Sequence, residues 1–199
     1  MGRRFETLDK VSVVIEINEI ENAIVVRFIR PEKRNSLSIE VIEALEGCIE
    51  KFADVAERII FTGVNGYFAS GADLREIAEI KGEEARQFAR RGQRLMAKIN
   101  KVRSIAAING ICFGGALDLS LSCQLRIAHP QATFCHPGAR IGIMTGWGGT
   151  QRLPRLVGEA AALHIFFTAE PISASAALEI GLIDLIRDDP VSAALKIEL

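Results

Sequence analysis

Two glycine-containing turns, each directly before a helical pattern, decide the reading of the fold: Ser70-Gly71-Ala72-Asp73-Leu74 and Asn109-Gly110-Ile111-Cys112-Phe113-Gly114-Gly115-Ala116-Leu117-Asp118. Main-chain amides at a glycine-rich helix start can be aimed at one oxygen atom at little cost. An acyl carbonyl that gains negative charge during a reaction needs two preorganised donors of this kind. The two turns together therefore predict an oxyanion hole, although a single glycine turn often serves only local packing.

Around these turns, apolar runs alternate with helical patterns. An opening hairpin is predicted over residues 11–17 and 23–29, with residues 18–22 between the strands, and Ser38 is the predicted N-cap of the first helix. The remaining predicted strands are 58–62, 104–108, 124–128 and 133–135, and the remaining predicted helices are 83–102, 115–122, 159–168 and 173–180. A glycine-rich loop precedes Glu159. Strands that alternate with helices predict the α/β class.

The composition favours small-molecule chemistry in a globular protein. Of the 199 residues, 49% are hydrophobic, which is enough for one domain over residues 1–199. The net charge of -1 gives no overall attraction to nucleic acid or to a membrane surface. The first residues lack the pattern of a secretion signal, and the four cysteines lack the spacing of a disulfide framework or a metal site. We expect a cytoplasmic protein with reduced cysteines and with neither nucleic-acid nor membrane partners.

A second signal comes from five stretches taken together: Arg30 to Ser38, Phe68 to Leu74, Ala106 to Asp118, Trp147 to Gly158 and Ile172 to Asp184. Their residues and their order resemble the crotonase superfamily, the enoyl-CoA hydratase/isomerase family. The likeness covers nearly the whole chain. It implies an α/β fold in which ββα units form a spiral, with small perpendicular sheets and surrounding helices.

The resemblance also implies acyl-CoA thioesters as substrates. It places the oxyanion donors at the backbone N–H groups of Ala72 and Gly115, which stabilise an enolate in that family. Contacts with CoA are implied at Lys33, Ala69, Gly71, Asp73, Leu74 and Arg75. We expect no metal and no redox cofactor.

Hydratases of this family use two glutamates to hold and deprotonate water, and this sequence departs from that pattern. Asp118 stands at the first position and Gly138 at the second, where glycine can neither orient water nor transfer a proton. Asp118 follows Gly115 by three residues, which puts its side chain on the face of the oxyanion amide. It is the sole acid/base candidate at these positions; alternatively, it only favours the helix N-terminus. Burial would raise its pKa and the helix terminus would lower it.

Four other residues are candidates for the site or its walls. His136 and Arg140 flank Gly138, and either could replace the chemistry of the missing carboxylate. The alternatives are a structural histidine and a solvated arginine. Trp147 and Tyr67 are candidates for lining the acyl pocket, with core packing as the alternative.

A single carboxyl group favours double-bond isomerisation or an atypical hydration. One alternative is decarboxylation of a malonyl-type acyl-CoA, which needs mainly the oxyanion hole and an apolar pocket. Another is a non-catalytic CoA-binding or scaffold protein. A basic stripe on the helix predicted at 83–102 would then bind the CoA phosphates or an acidic partner, with a solvated helix face as the alternative. This stripe consists of Arg86, Arg90, Arg94 and Lys98. The family implies a homo-oligomer, a trimer or a multiple of trimers, but the sequence stops at Leu199, before most of the usual C-terminal trimerisation helices.

Overall fold

Residues 14–197 are described by a computed structural model of the chain. The strands are β1 (Ile15–Ile20), β2 (Ala23–Phe28), β3 (Arg58–Thr62), β4 (Tyr67–Ala69), β5 (Ser104–Ile108), β6 (Ile111–Phe113), β7 (Leu125–Ala128), β8 (Thr133–Cys135), β9 (Ile172–Ser173) and β10 (Leu185–Ile186). The helices are α1 (Ile39–Phe52), α2 (Leu74–Glu79), α3 (Glu83–Ile99), α4 (Gly115–Ser120), α5 (Gly138–Ile141), α6 (Gly149–Val157), α7 (Glu159–Thr168), α8 (Ala174–Glu179) and α9 (Pro190–Lys196). Within residues 14–197, the helices are too short or too polar to span a lipid bilayer.

The strands form two sheets, and the chain visits them in turn. One sheet has the order β1-β2-β3-β5-β7-β10, and the other has the order β4-β6-β8-β9. Each of β3, β5 and β7 lies in the larger sheet and is followed by a strand of the smaller sheet and then by one or more helices. This arrangement confirms the predicted α/β spiral of ββα units.

The central strands are covered on both faces. Pairing is parallel from β2 through β3 and β5 to β7, and all five residues of β5 are buried. A parallel strand with helices on both sides is expected to be apolar throughout. One face of the larger sheet packs in the main core with α1 and α3, and the other face packs against α9.

The opening hairpin is tighter than predicted. β1 and β2 pair antiparallel as far as Ile20 and Ala23, which leaves only Glu21 and Asn22 in the turn. Both turn residues have positive φ, 49° and 66°, as in the two-residue turns whose twist matches that of paired strands. The predicted break between the strands is therefore wrong over residues 18–20. Residues 11–13 of the predicted first strand lie outside the described residues.

The other predicted elements agree closely with the structure. Ser38 caps α1, because its hydroxyl accepts a hydrogen bond from the Val41 N–H at 3.4 Å. The bounds of β3, β5, β8 and α7 match the prediction, whereas α3 ends at Ile99 and α4 at Ser120, both earlier than predicted.

The predicted glycine-rich loop contains two helices, α5 and α6. Gly148, with φ of 109°, precedes α6, and Pro154 lies inside it. Glycine and proline disfavour helix in isolation, so the local pattern predicts a loop. Leu153 nevertheless packs into the core with no exposed surface. The loop prediction is wrong here because tertiary burial stabilises a helix that local propensity does not.

Candidate active site

The two glycine turns meet because the strands that precede them are neighbours. β4 and β6 pair in parallel, so their carboxyl ends lie at the same edge of the smaller sheet. A Cβ on Gly71 would lie 2.8 Å from the Phe113 carbonyl oxygen and 3.0 Å from the Gly115 nitrogen. Gly71 also has a φ of 91°, which favours glycine. Close approach of the two backbones therefore requires glycine at this position.

Two backbone amides lie where the turns meet. The Ala72 nitrogen is 3.4 Å from the point that a Cβ on Gly115 would occupy. Within residues 14–197, no acceptor is assigned to the N–H of Ala72 or to that of Gly115. Gly115 is also the first residue of α4, where the helix carries partial positive charge. The structure thus brings the two predicted oxyanion donors together on one surface.

This surface borders a cleft of about 330 Å³ that both turns line. Most of the lining is apolar, with Ile77 on α2, Ile80 directly after it, Phe88 on α3 and the buried Trp147 beside them. The Trp147 ring lies 5.4 Å from that of Phe88, between centroids. A Cβ on Gly115 would come within 2.5 Å of the Trp147 ring. Trp147 is therefore in the wall of the cleft, directly against the first residue of α4.

Asp118 lies behind this wall with no exposed surface. One carboxylate oxygen, Oδ2, accepts a hydrogen bond from the hydroxyl of Thr145. The other, Oδ1, is 3.4 Å from Nε2 of the buried His136. In the described part of the chain, Asp118 Oδ1 and His136 Nε2 are both buried and have no hydrogen-bond partner with good geometry. The structure therefore joins Asp118 and His136, which are distant in the sequence, into one buried pair.

Burial dominates the protonation of this pair. It raises the pKa of Asp118 to about 7, against the opposing effects of the Thr145 hydroxyl and the Arg152 guanidinium. Burial also lowers the pKa of His136 to about 4. The imidazole is therefore neutral near pH 7, and its 3.4 Å contact with Asp118 is not an ion pair. A carboxyl group that titrates near neutral pH suits general acid and base catalysis.

Gly149 makes room for the pair. A Cβ at this first residue of α6 would lie 2.1 Å from Asp118 Oδ1 and 3.1 Å from His136 Nε2. Sequence reasoning missed Gly149, Thr145 and Arg152, all of which fall in or after the predicted glycine-rich loop. The one available signal was the Gly148-Gly149 pair, which indicates a close approach but not what approaches.

Gly138 offers no room for the missing glutamate. A Cβ on this residue would fall 2.2 Å from the Ile143 carbonyl oxygen. Arg140 does not replace the carboxylate either, because its exposed side chain points to Glu170 at 3.8 Å. Arg140 is therefore a solvated surface residue, which is the alternative stated for it in the sequence analysis.

Tyr67 does not reach the cleft. It lies half-buried on β4, and its side chain is not among those that line the cleft. Successive side chains of a strand point to opposite faces, and the neighbouring Phe68 takes the core face. The prediction of a pocket role for Tyr67 is therefore not supported by its position.

The residues implied for CoA binding occupy different environments. Gly71 and Leu74 line the cleft, and Leu74 is 55% exposed. Lys33 and Arg75 are exposed, whereas Ala69 is fully buried in β4. The Asp73 carboxylate already accepts two hydrogen bonds within the chain, from the Arg75 N–H at 2.9 Å and from the Ser36 hydroxyl at 3.2 Å.

None of the four cysteines lines the cleft. Cys48, Cys112, Cys123 and Cys135 are buried free thiols. Burial raises the pKa of Cys48 and of Cys123 to about 12, so both thiols stay protonated near neutral pH. Across residues 14–197, no group of three or more His, Cys, Asp or Glu side chains is placed to hold a metal ion.

Known proteins resemble the chain in sequence and in structure. A family model described as enoyl-CoA hydratase/isomerase matches residues 18–194. The chain is 39% identical over 182 residues to a probable enoyl-CoA hydratase of Bacillus subtilis, covering 89% of this chain and 70% of that protein. It is 36% identical over 167 residues to a short-chain-enoyl-CoA hydratase of Clostridium acetobutylicum, covering 81% of this chain and 64% of that protein. The chain thus spans about two thirds of the length of these two relatives.

The fold is likewise that of a solved structure. The crystal structure of an enoyl-CoA hydratase from Thermoplasma volcanium superposes with a TM-score of 0.88 at 30% sequence identity. The superposition covers 94% of this chain and 77% of that one.

Proposed function

The chain belongs to the enoyl-CoA hydratase/isomerase family, and from this premise we propose that it binds enoyl-CoA thioesters and converts them through an enolate. The thioester oxygen accepts hydrogen bonds from the N–H groups of Ala72 and Gly115. Asp118 is the carboxyl group that takes up and returns the proton. One observation on residues 14–197 carries the proposal: two backbone amides without an acceptor lie beside an apolar cleft, with the buried Asp118 carboxyl group behind them.

The chemistry follows from where charge develops. When the α-carbon or the γ-carbon of the enoyl thioester loses a proton, the negative charge moves to the thioester oxygen. The two amides stabilise that charge by hydrogen bonds. One backbone donor of this kind is typically worth about 2.7–4 kcal/mol in the transition state. Return of the proton to a different carbon moves the double bond. With a pKa of about 7, Asp118 serves in both directions near neutral pH.

Hydration by two carboxylates fits this cleft poorly. Gly138 carries no carboxylate, and the Ile143 carbonyl oxygen occupies the space that a side chain would need. One proton shuttle is sufficient for isomerisation. Since the relatives in Bacillus subtilis and Clostridium acetobutylicum are named as hydratases, the proposal includes an atypical hydration in which Asp118 alone handles the water proton.

Decarboxylation of a malonyl-type acyl-CoA is the second candidate. Trp147 and Phe88 form an apolar wall beside Gly115. A substrate carboxylate held against such a wall loses hydration, which favours its departure as carbon dioxide, and the oxyanion donors stabilise the enolate that remains.

The proposal also covers the oligomeric state of the protein. We propose a homo-oligomer, a trimer or a multiple of trimers, as the family resemblance implies. Leu163 and Phe167 on α7 support association, because they are 51% and 74% exposed and are one helical turn apart. The cytoplasmic location stays a prediction.

Incubation with crotonyl-CoA, a 3-enoyl-CoA and methylmalonyl-CoA, followed by mass analysis of the products, tests these alternatives. Conversion of the 3-enoyl to the 2-enoyl isomer supports the proposal, and proton exchange in heavy water detects the same chemistry when no net product forms. A hydrated product identifies the atypical hydration, whereas loss of carbon dioxide favours the second candidate. An acyl-CoA that binds but neither reacts nor exchanges protons would identify a non-catalytic binding protein.

A further inference from the structure

We propose that the His136 imidazole is the group that contacts the substrate, and that it relays protons between the cleft and Asp118. The inference rests on the proposed function, because it assigns the proton path of that same site. It changes the role of Asp118 from a group that touches substrate to the buried terminus of the path.

The position of the two side chains relative to the cleft supports this path. His136 and Thr145 line the cleft, but Asp118 does not and has no exposed surface. A proton can therefore pass between Asp118 and a bound molecule only through an intervening group. His136 is the titratable group that both lines the cleft and lies beside Asp118 Oδ1.

The pair is held in an arrangement suited to proton transfer. Thr145 binds Oδ2 of Asp118, which leaves Oδ1 facing His136 Nε2 at 3.4 Å. The imidazole lies against the Phe166 ring, with 5.0 Å between centroids. At 3.4 Å the contact is longer than an ordinary hydrogen bond, and catalytic hydrogen bonds commonly shorten when substrate binds.

The transfer balances without a charged imidazole. His136 begins with its proton on Nε2, facing the ionised Asp118, and Nδ1 takes a proton from the substrate carbon. The carbon–hydrogen bond breaks and its electron pair stays on the substrate as the enolate, while the Nε2 proton passes to Asp118 Oδ1. The imidazole ends neutral with its proton on Nδ1, and the negative charge has moved from Asp118 to the thioester oxygen. The reverse sequence delivers a proton to the product carbon.

The surroundings favour this neutral relay over an imidazolium intermediate. Burial opposes positive charge on His136 and lowers its pKa to about 4. The charged group that interacts with Asp118 from α6 is Arg152, which favours the ionised carboxylate. A relay in which the imidazole only exchanges one N–H for the other avoids placing a charge where solvation is poor.

Nitrogen NMR of the free protein tests the pair without any substrate. The chain has three histidines, and His136→Gln identifies the signals of His136. At pH values above the His136 pKa of about 4, we expect the neutral tautomer to change from Nδ1–H to Nε2–H as the pH rises through about 7. In Asp118→Asn the tautomer should no longer depend on pH. A wild-type His136 that keeps one tautomer through this range, or that becomes an imidazolium near pH 7, would overturn the relay.

Proton exchange of acyl-CoA in heavy water tests the catalytic part. His136→Gln should reduce the exchange rate by about 10²–10³-fold with little change in acyl-CoA affinity, as expected for the loss of one general acid–base group. His164→Gln, at an exposed position on α7, is the matched control and should exchange at the wild-type rate. Near wild-type exchange in His136→Gln, together with its loss in Asp118→Asn, would overturn the relay and leave the proposed function standing. Absence of exchange in the wild-type protein would instead overturn the proposed function.

Discussion

Two regions line the same cleft but differ in what their sequences reveal. We call Gly71, Ala72, Gly114 and Gly115 the glycine cradle and residues 136–149 the reaction segment. The cradle acts through backbone atoms, and close contact between the two turns requires glycine at Gly71. The reaction segment acts through side chains, His136 and Thr145, that meet a buried carboxyl group from another element.

This difference explains how one fold supports several reactions. Backbone amides stabilise an enolate whatever forms it, so the cradle sets the class of substrate and intermediate. The reaction segment decides where protons go, because it places His136 in the cleft and both His136 and Thr145 against the Asp118 carboxyl group. Changes in the cradle should therefore affect binding and chemistry together, whereas changes in the reaction segment and Asp118 should affect chemistry alone.

Asp118→Asn should have the largest effect on turnover. An amide neither accepts nor returns the proton, so exchange of acyl-CoA protons in heavy water should fall by about 10²–10⁴-fold. Acyl-CoA affinity measured by calorimetry should not change, because it depends on the cradle. The exposed Asp188→Asn is the control and should match the wild-type protein. Undiminished exchange in Asp118→Asn would contradict the acid/base assignment.

Gly71→Ala should reduce both binding and chemistry. The new Cβ would lie 2.8 Å from the Phe113 carbonyl oxygen, which pushes the two turns apart. We expect proton exchange to fall by about 10²–10³-fold through misplaced oxyanion donors, and acyl-CoA affinity to fall as well.

Gly66→Ala is the matched control for this substitution. Gly66 also has positive φ, 74°, but nothing lies within 4 Å of its added Cβ. Gly66→Ala should therefore have the same kind of backbone strain as Gly71→Ala, about 1 kcal/mol or more, but its new Cβ collides with no other atom. It should retain proton-exchange activity. Equal losses of exchange activity in the two variants would show that backbone strain, rather than the contact between the two turns, causes the loss.

Gly138→Glu should fail to restore two-carboxylate hydration. The added side chain would begin 2.2 Å from the Ile143 carbonyl oxygen, and overpacking of this kind lowers the free energy of unfolding by about 1–3 kcal/mol. Urea denaturation measures the loss, and mass analysis tests for a hydroxyacyl-CoA product. Gly47→Glu, at an exposed site on α1 with nothing within 4 Å of the added Cβ, should not lower the free energy of unfolding and should give no hydroxyacyl-CoA product. Gain of hydratase activity in Gly138→Glu would contradict this prediction, because it would show that the backbone at Ile143 moves enough to admit the new side chain.

Stability should depend on pH through Asp118. Its pKa in the folded protein, about 7, is above the ordinary value of 3.8, so folding favours the protonated form. This contribution is complete below about pH 3.8 and is lost as the pH rises through about 7. His136 has the opposite effect because its pKa is lowered. The difference in unfolding free energy between Asp118→Asn and the wild-type protein isolates the carboxyl group, and it should increasingly favour the variant as the pH rises through this range. A difference that does not vary with pH would contradict the raised pKa.

Thr145→Val should have the smallest effect. Loss of the hydroxyl removes a hydrogen bond that lowers the pKa of Asp118, so the pKa should rise further. The midpoint of the pH–rate profile for proton exchange should move to higher pH. Thr145→Ser keeps the hydroxyl group and should keep the wild-type midpoint, and an equal shift in both variants would indicate a packing effect instead.

The sequence predicted most of the elements that have a strong local signal. The Ser38 cap, the bounds of β3, β5 and β8, and the α/β class are confirmed because apolar periodicity and capping act over a few residues. The hairpin turn at Glu21 and Asn22 and the helices α5 and α6 were not found. Strand pairing and the burial of Leu153 stabilise them, and neither can be read from a short window of sequence.

The sequence by itself determined the family, the two glycine turns and the absence of a glutamate at position 138, because each is a matter of which residue stands where. Only the tertiary structure decided that Asp118 has a pKa of about 7, that it meets His136 and Thr145, and that Ile143 closes the space beside Gly138. A proton equilibrium depends on the groups and the solvent within a few ångströms of an atom. Residues far apart in the chain supply those surroundings only after the spiral has folded.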